Sequence, residues 1–284
     1  MSYPEKHIAL ACNPTPGNRK ALAVADSIAL LLSGMDIRHS LFSTQWPEIW
    51  DDVTEIWIIG GDGTLNYFIN HYPHLDLPLA LFAGGSGNDF HWMLYGNRSV
   101  ENQVEDLLEG KPKPVDAGMV NERLFLNGVG IGFDGAIVKD LLGKRKRDGG
   151  TSYFLSVLKH VLFFREKHFR IIADKESISQ DCFMVSIANG QRYGGGFRVT
   201  PKASVSDSLL DLNVILKISP LQRLRFLQVV EKGQHLEHYF NLYRQSASFL
   251  IKTQEPVHAH VDGEYFIEKE FRIEVLPKRF SFIY

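Results

Sequence analysis

The chain has 284 residues, enough for about two domains with a core in each. Apolar residues make up 44% and charged residues 23%, an ordinary balance for a soluble protein, and a net charge of −2 argues against a nucleic-acid binder. Cys12 and Cys182 are too few for a disulfide framework and fit a reducing compartment, so the expected location is the cytoplasm.

The N-terminus carries an apolar run too short for a signal sequence, and no stretch approaches the length needed to span a bilayer. His7–Cys12 reads as a buried strand, followed by the turn cluster Asn13-Pro14-Thr15-Pro16-Gly17. Over Asn18–Leu32 the residues Leu22, Ala25, Ile28, Ala29 and Leu32 form a helical stripe, and Ile37–Phe42 is a second strand. Ile56–Ile59 is a third apolar run, broken by Gly60-Gly61-Asp62-Gly63 and followed by Thr64, Leu65, Phe68 and Ile69 at helical spacing. That order is strand, glycine turn, helix start. Glycines there let backbone N–H groups approach an anion, and the helix N-terminus adds its dipole. Asp62 supplies an acid suited to a phosphate-bound Mg²⁺, while the plain alternative is a turn without ligand. Leu77–Ala83 repeats the pattern, ending in Gly84-Gly85-Ser86-Gly87 before Asn88-Asp89-Phe90 and another helix. Strands alternating with helices predict a parallel sheet with ligands at the strands' carboxyl ends.

Past Lys111-Pro112-Lys113-Pro114 the pattern changes. Strand candidates crowd together at Leu124–Val129, Phe169–Ala173, Cys182–Ala188, Leu210–Ile218, Ser248–Lys252, Val257–Val261 and Phe271–Leu276, which predicts an antiparallel sandwich or barrel. Ser219-Pro220 starts a helix that Gly233 closes. The fold expected is therefore an α/β nucleotide-binding domain with a parallel sheet over 1–116, then a C-terminal antiparallel β-sandwich domain over 117–284.

Six blocks occur in order: GGDGTLN at Gly60–Asn66, GGSGNDF at Gly84–Phe90, NGVGIGFDG at Asn127–Gly135, ANGQRYGGGFRVTPKA at Ala188–Ala203, SDSLLDL at Ser206–Leu212 and VDGEYF at Val261–Phe266. Together they resemble the diacylglycerol kinase catalytic family, in particular its small bacterial lipid kinases, with sphingosine kinases and NAD kinases as relatives. The resemblance implies an active site in the cleft between the domains and ATP and Mg²⁺ as cofactors. No GxxxxGK[ST] motif occurs, so the glycine turns must cradle the phosphates. The resemblance gives nucleotide contacts to Asn13, Gly60, Gly61, Gly63, Thr64, Gly85, Ser86, Gly87, Asn88, Asp89 and Asp116. It gives Mg²⁺ and phosphate work to Asp62 and Asp89, a residual structural metal site to Asp207 and the Leu209 carbonyl, and the catalytic base to Asp262, supported by Glu264.

Each of these has a plainer reading. Asp262-Gly263 between alternating runs is also a hairpin turn. His258, His260 and Asp262 share a strand face, and a packed or solvated face explains them without metal. Gly130–Gly135 is a formal GxGxxG, but it lies well past the first strand and lacks an acidic partner for a dinucleotide. The chain also departs from the family. Tyr67 stands where Glu is common, Ser86 where Thr is usual, and His91-Trp92 where an alanine-arginine pair often follows; Ser204 and Ser208 replace an acid and a glycine of the metal motif.

Lys139, Lys144, Arg145, Lys146 and Arg147 precede the apolar positions Tyr153, Phe154, Val157, Leu158, Val161, Leu162, Phe163 and Phe164. Such a run suits anionic lipid, and a core helix behind a solvated loop is the alternative. The reading is an ATP-dependent lipid kinase acting on a hydroxyl of diacylglycerol or a related lipid, peripheral at the inner membrane face through Lys144–Arg147, with a homodimer possible and no nucleic-acid partner. The alternatives are a kinase of a soluble metabolite such as NAD, or a non-catalytic lipid- or nucleotide-binding regulator.

Overall fold

The structure is a computed structural model that describes residues 6–13, 19–142, 149–174 and 176–284. The chain divides into two compact units, Met1–Val115 with Lys278–Tyr284, and Asp116–Pro277.

In the first unit β1 (His7–Cys12) and β3 (Glu55–Gly60) are buried along their whole length, which is why both read as unbroken apolar runs. β1 pairs in parallel with β3 and with β2 (Arg38–Phe42), and β4 (Leu79–Ala83) pairs in parallel with β3. The chain's last strand adds to the other edge of β4 through Phe282 opposite Leu79. α1 (Arg19–Gly34) buries Ala21, Ala25, Ile28 and Leu32, so its stripe is turned slightly from the one the sequence predicts, and Leu22 stays 39% exposed. Between Phe42 and Glu55 there is no helix. Trp46 and Trp50 fold back from that segment onto Phe68 and Tyr72, and the Trp46 indole donates to the Cys12 carbonyl at 2.9 Å. α2 (Asp62–His71), α3 (Asp89–Tyr95) and α4 (Val100–Glu109) complete the unit; Ser99 caps α4 by accepting from the Asn102 amide.

The second unit is built on antiparallel pairs. β7 (Gly128–Gly132) lies between β9 (Glu176–Ala188) and β12 (Ser248–Val261), β10 (Leu210–Leu216) follows β9, and β11 (Asn241–Ser246) follows β10. β13 (Glu264–Ile283) pairs with β12, and β8 (Lys167–Ala173) pairs with β9 and β12. β5 (Pro112–Val120) enters the unit and turns into β6 (Arg123–Phe125). Period-two alternation sends Val129, Ile131, Val185, Ile187, Leu212, Val214, Ala259 and Val261 into one core. A second core joins Met184 and Ile215 to α5 (Phe133–Leu141), α6 (Gly149–Phe163) and α7 (Pro220–Glu231).

Where the sequence predicts two strands at Ser248–Lys252 and Val257–Val261, the chain runs as one strand with a register shift between Lys252 and Val257. The predicted Phe271–Leu276 strand is the middle of the much longer β13, whose charged stretches lie on exposed positions. α7 starts as predicted, with Ser219 and Gln222 forming a capping box and Pro220 at its first turn.

Candidate active site

In the first unit the two glycine turns interlock. The Gly84 amide donates to the Gly60 carbonyl at 2.8 Å, and the Asp62 amide to the Gly87 carbonyl at 3.3 Å. A Cβ at Gly61 would sit 2.7 Å from the Gly87 carbonyl oxygen and 3.0 Å from Gly85 Cα; one at Gly85 would sit 2.5 Å from Gly61 Cα. These glycines are required by backbone meeting backbone, a cause the sequence reading did not include. A Cβ at Gly60 would meet the Thr64 side chain at 2.5 Å, and one at Gly87 the Asp62 carboxylate at 3.0 Å.

The Asp62 carboxylate ties the turns together. Its Oδ2 accepts from the Asp89 amide and its Oδ1 from the Phe90 amide, each at 3.0 Å, so it serves as the cap of α3. Asp89 is itself buried. Asn88 closes its own loop, with Oδ1 accepting from the Gly85 amide at 3.0 Å and Nδ2 donating to the Gly85 carbonyl at 3.1 Å. Asn13 Nδ2 donates to Thr64 Oγ1 at 2.9 Å, joining the end of β1 to the first turn of α2; Pro14–Gly17 of that turn cluster lie outside the described residues. Ser86 and Gly63 are exposed.

α2 begins at Gly61 with no side chain capping it. The first amides of a helix have no partner within the helix, so this N-terminus presents donors for an anion. One cation stands beside it that the sequence reading missed: Lys20 Nζ donates to the Gly85 carbonyl at 3.4 Å from the first turn of α1. Its signal was the Arg19-Lys20 pair one residue past the NPTPG turn. His91 does not serve that purpose, being buried with Nε2 on the Gln103 side-chain oxygen at 2.9 Å.

The remaining candidates lie in the second unit. Asp116 is buried, its Oδ2 accepts from the Ser208 amide at 2.7 Å, and its own amide donates to Val205. Asp207 accepts from the Leu209 amide at 3.1 Å, a local turn that also holds Ser208 at φ 62°. Asp262 and Gly263 both have positive φ, 46° and 91°, so the β12–β13 hairpin is closed by a two-residue turn of the primed kind. The Asp262 carboxylate reaches across to the start of β7 and the two residues before it. Oδ2 accepts from the Leu126 amide at 2.9 Å, and Oδ1 from Asn127 at 3.1 Å and Gly128 at 2.8 Å. Glu264, on the far side of the turn, is exposed.

The glycines of the GxGxxG stretch have a packing cause. A Cβ at Gly130 would lie 2.5 Å from His260 Nε2, and one at Gly135 would lie 2.2 Å from the His258 backbone, so they bring β7 and α5 against β12. His260 is buried there and held neutral, its value lowered to about 4 by burial.

The same stretch places Asp134 at a recess that sequence reasoning missed. Phe133, Ile137, Val157, Phe183, Met184, Tyr193, Phe197, Val199, Ile215, Phe226, Leu227 and Val230 surround a small, half-open cavity of about 50 Å³ there. The Tyr193 hydroxyl lies 2.7 Å from Asp134 Oδ2 and 2.6 Å from Ser186 Oγ. Burial raises the Asp134 carboxyl to about 6, against the hydrogen bonds that the Tyr193 and Ser186 hydroxyls donate to it. A carboxylate and a phenol in an otherwise apolar lining fit an amphipathic ligand.

Among the described residues no group of three His, Cys, Asp or Glu gathers into a metal site. Mg²⁺ takes one or two protein carboxylates and completes its shell with phosphate and water oxygens. Asp62 and Asp89 are such hard oxygen donors. Asp207 and Leu209 amount to one acid and one carbonyl.

Interlocked glycine turns at the carboxyl ends of parallel strands, followed by an antiparallel unit, define a class of α/β proteins with a C-terminal β-rich half. The chain belongs to the diacylglycerol kinase family: residues 7–120 match its catalytic domain, and residues 127–284 match the YegS C-terminal NAD kinase beta sandwich-like domain. It is 28% identical to a Shewanella frigidimarina protein named "Probable lipid kinase YegS-like", over 83% of this chain and 78% of that one. It is 27% identical to a Mycobacterium tuberculosis diacylglycerol kinase, over 85% and 79%. A crystal structure of a Bacillus anthracis diacylglycerol kinase superposes with a TM-score of 0.77 at 22% identity, covering 99% of this chain and 97% of that one, a likeness of fold.

Proposed function

We propose that the protein is an ATP-dependent lipid kinase that moves the γ-phosphate to a hydroxyl of diacylglycerol or a related lipid. The observation that carries it is the interlocked pair of glycine turns at the uncapped start of α2. Phosphoryl transfer asks a protein chiefly to position phosphates, offset their charge and orient the attacking hydroxyl. Gly61, Gly63 and Thr64 present backbone donors, Asn13 steadies Thr64, and Lys20 supplies the cation that His91 and Trp92 do not. Asp62 and Asp89 are the carboxylates that would hold Mg²⁺, which when bound neutralises charge on the phosphates. Asp62 also fixes the second turn, so its metal contact uses lone pairs not directed at the α3 amides.

On the acceptor side, the apolar recess under α5, α6 and α7 seats part of the lipid, and Asp134 with Tyr193 meets its polar end. The attacking hydroxyl loses a proton, and Asp262 is the proposed acceptor, with Glu264 beside it in sequence. Lys144–Arg147 lie outside the described residues; as a membrane contact they are supported by their charge and by Leu142 and Phe163, exposed at 55% and 76% at the far ends of α5 and α6. No described helix is long and apolar enough to cross a membrane.

The test is transfer from γ-labelled ATP to a panel of lipid alcohols in mixed micelles, with NAD as the soluble acceptor. Labelled phospholipid that depends on ATP and Mg²⁺ is the expected product. Labelled NADP in its place selects the metabolite kinase, and ATP binding with no labelled product selects the regulator.

A further inference from the structure

Tyr67 is a large aromatic side chain left 56% exposed on the helix that starts at the glycine cradle. It follows Gly63 by four residues, placing its Cα roughly 6 Å along the axis and on the same side. Helical side chains lean toward the N-terminus, so the ring is carried back over the cradle's end of α2. Gly63, Tyr67, Asn70 and His71 form the exposed side of the helix.

The ring is held on two sides. His71 stacks on it with centroids 5.7 Å apart and planes 13° apart, and Trp46 lies 5.6 Å away at 44°. Trp46 is in turn fixed by its bond to the Cys12 carbonyl and by edge contact with Phe68 at 5.2 Å. Tyr67 therefore offers an aromatic surface whose ordering is already supported by its neighbours, one turn from amides suited to phosphate. An ordinary solvated position on this face would serve with a short polar residue, as at Asn70.

We propose that Tyr67 is the nucleobase platform of the donor site, stacking the base of a nucleoside triphosphate whose phosphates lie at the start of α2. The inference rests on the kinase reading for the phosphates and adds the residue that selects a nucleotide over a bare polyphosphate. Every base has a π-face, so stacking of this kind tolerates adenine and guanine alike. Asn70 and His71 supply the polar edge of the platform.

The experiment is calorimetric titration of the full chain and its Tyr67→Ala, Tyr67→Phe and Tyr67→Trp variants with MgATP, MgGTP and inorganic triphosphate. Tyr67→Ala should weaken ATP and GTP by roughly 5- to 150-fold, the range for one lost base–aromatic stack, while Phe and Trp retain binding. Triphosphate affinity should stay within about twofold, since the cradle's donors are untouched. ATP affinity unchanged in Tyr67→Ala overturns the platform while leaving the kinase reading intact. Equal losses for ATP and triphosphate overturn it too, assigning Tyr67 to the shape of the cradle. A wild-type chain that binds neither overturns the phosphate cradle itself and the platform with it.

Discussion

The Asp262→Asn variant separates the structural role of one carboxylate from the catalytic role proposed for it. The Leu126, Asn127 and Gly128 amides all end on Asp262, and all three residues are buried. Asparagine tolerates the positive φ of 46°, so the backbone of the turn is not the source of the cost. The cost lies in the acceptors. With its carbonyl oxygen in place of Oδ1, asparagine still serves Asn127 and Gly128, but its NH₂ group faces the Leu126 amide. One buried donor left without an acceptor costs about 1–3 kcal/mol, and the other two bonds lose their charge assistance. A total near 3 kcal/mol is expected. At about 2–4 °C per kcal/mol for a unit of this size, the melting temperature should fall by roughly 6–12 °C.

Thermal melts followed by circular dichroism measure that fall, and hydrogen exchange at residues 126–128 locates it. Turnover is read separately at 20 °C, below either transition. If Asp262 is also the base, turnover drops by about 10²–10⁴-fold on the folded protein while ATP affinity holds. A variant that melts within 2 °C of wild type, with those three amides still protected, would show that the amide bonds carry no net stability and refute the reasoning from geometry.

Three further outcomes follow from the same contacts. Gly85→Ala puts a methyl group 2.5 Å from Gly61 Cα, so both turns must shift; about 1–3 kcal/mol of stability and most ATP affinity should be lost, and titration at near wild-type affinity would count against the interlocked cradle. Asp62→Asn turns an NH₂ toward the Asp89 or Phe90 amide, so it should lower the melting temperature even without nucleotide or Mg²⁺; an unchanged melt paired with lost turnover would leave Asp62 to the metal alone. Asp134 tests pH. Its carboxyl is raised from 3.8 to about 6, so the folded state binds more protons across that window, and this group's contribution to stability falls as pH rises through it. Asp134→Asn should gain about 1–3 kcal/mol at pH 8 and little at pH 4, while losing lipid phosphorylation with ATP affinity intact; no gain at pH 8 would mean that the carboxylate is well solvated.

The sequence showed most where local chemistry and tertiary structure agree. The buried runs of β1, β3 and β4 and the turns after β3 and β4 were visible because a strand buried on both faces leaves no polar interruption. The β12–β13 turn was visible because only residues tolerant of positive φ close a two-residue hairpin. What stayed hidden depends on distance along the chain. Lys20 meets Gly85 across 65 positions, and Asp134 acquires its recess from α6, α7 and β10, none of which its own segment announces. Strand lengths were missed where charged residues on the exposed face of β13 looked like loop.

Asp62 and Asp262 share a feature that bears on how such motifs are read. Each stands in a glycine turn, and each spends its carboxylate on backbone amides of a neighbouring segment: two at the start of α3, three leading into β7. A glycine beside the acid lets the backbone pass close, and an anion then satisfies donors that no regular ladder reaches. The acid therefore stabilises the loop that it would also use in chemistry. Loss of turnover in a variant at either position is by itself ambiguous, because a displaced loop and a missing charge both abolish transfer. Only a readout of the amides separates the two.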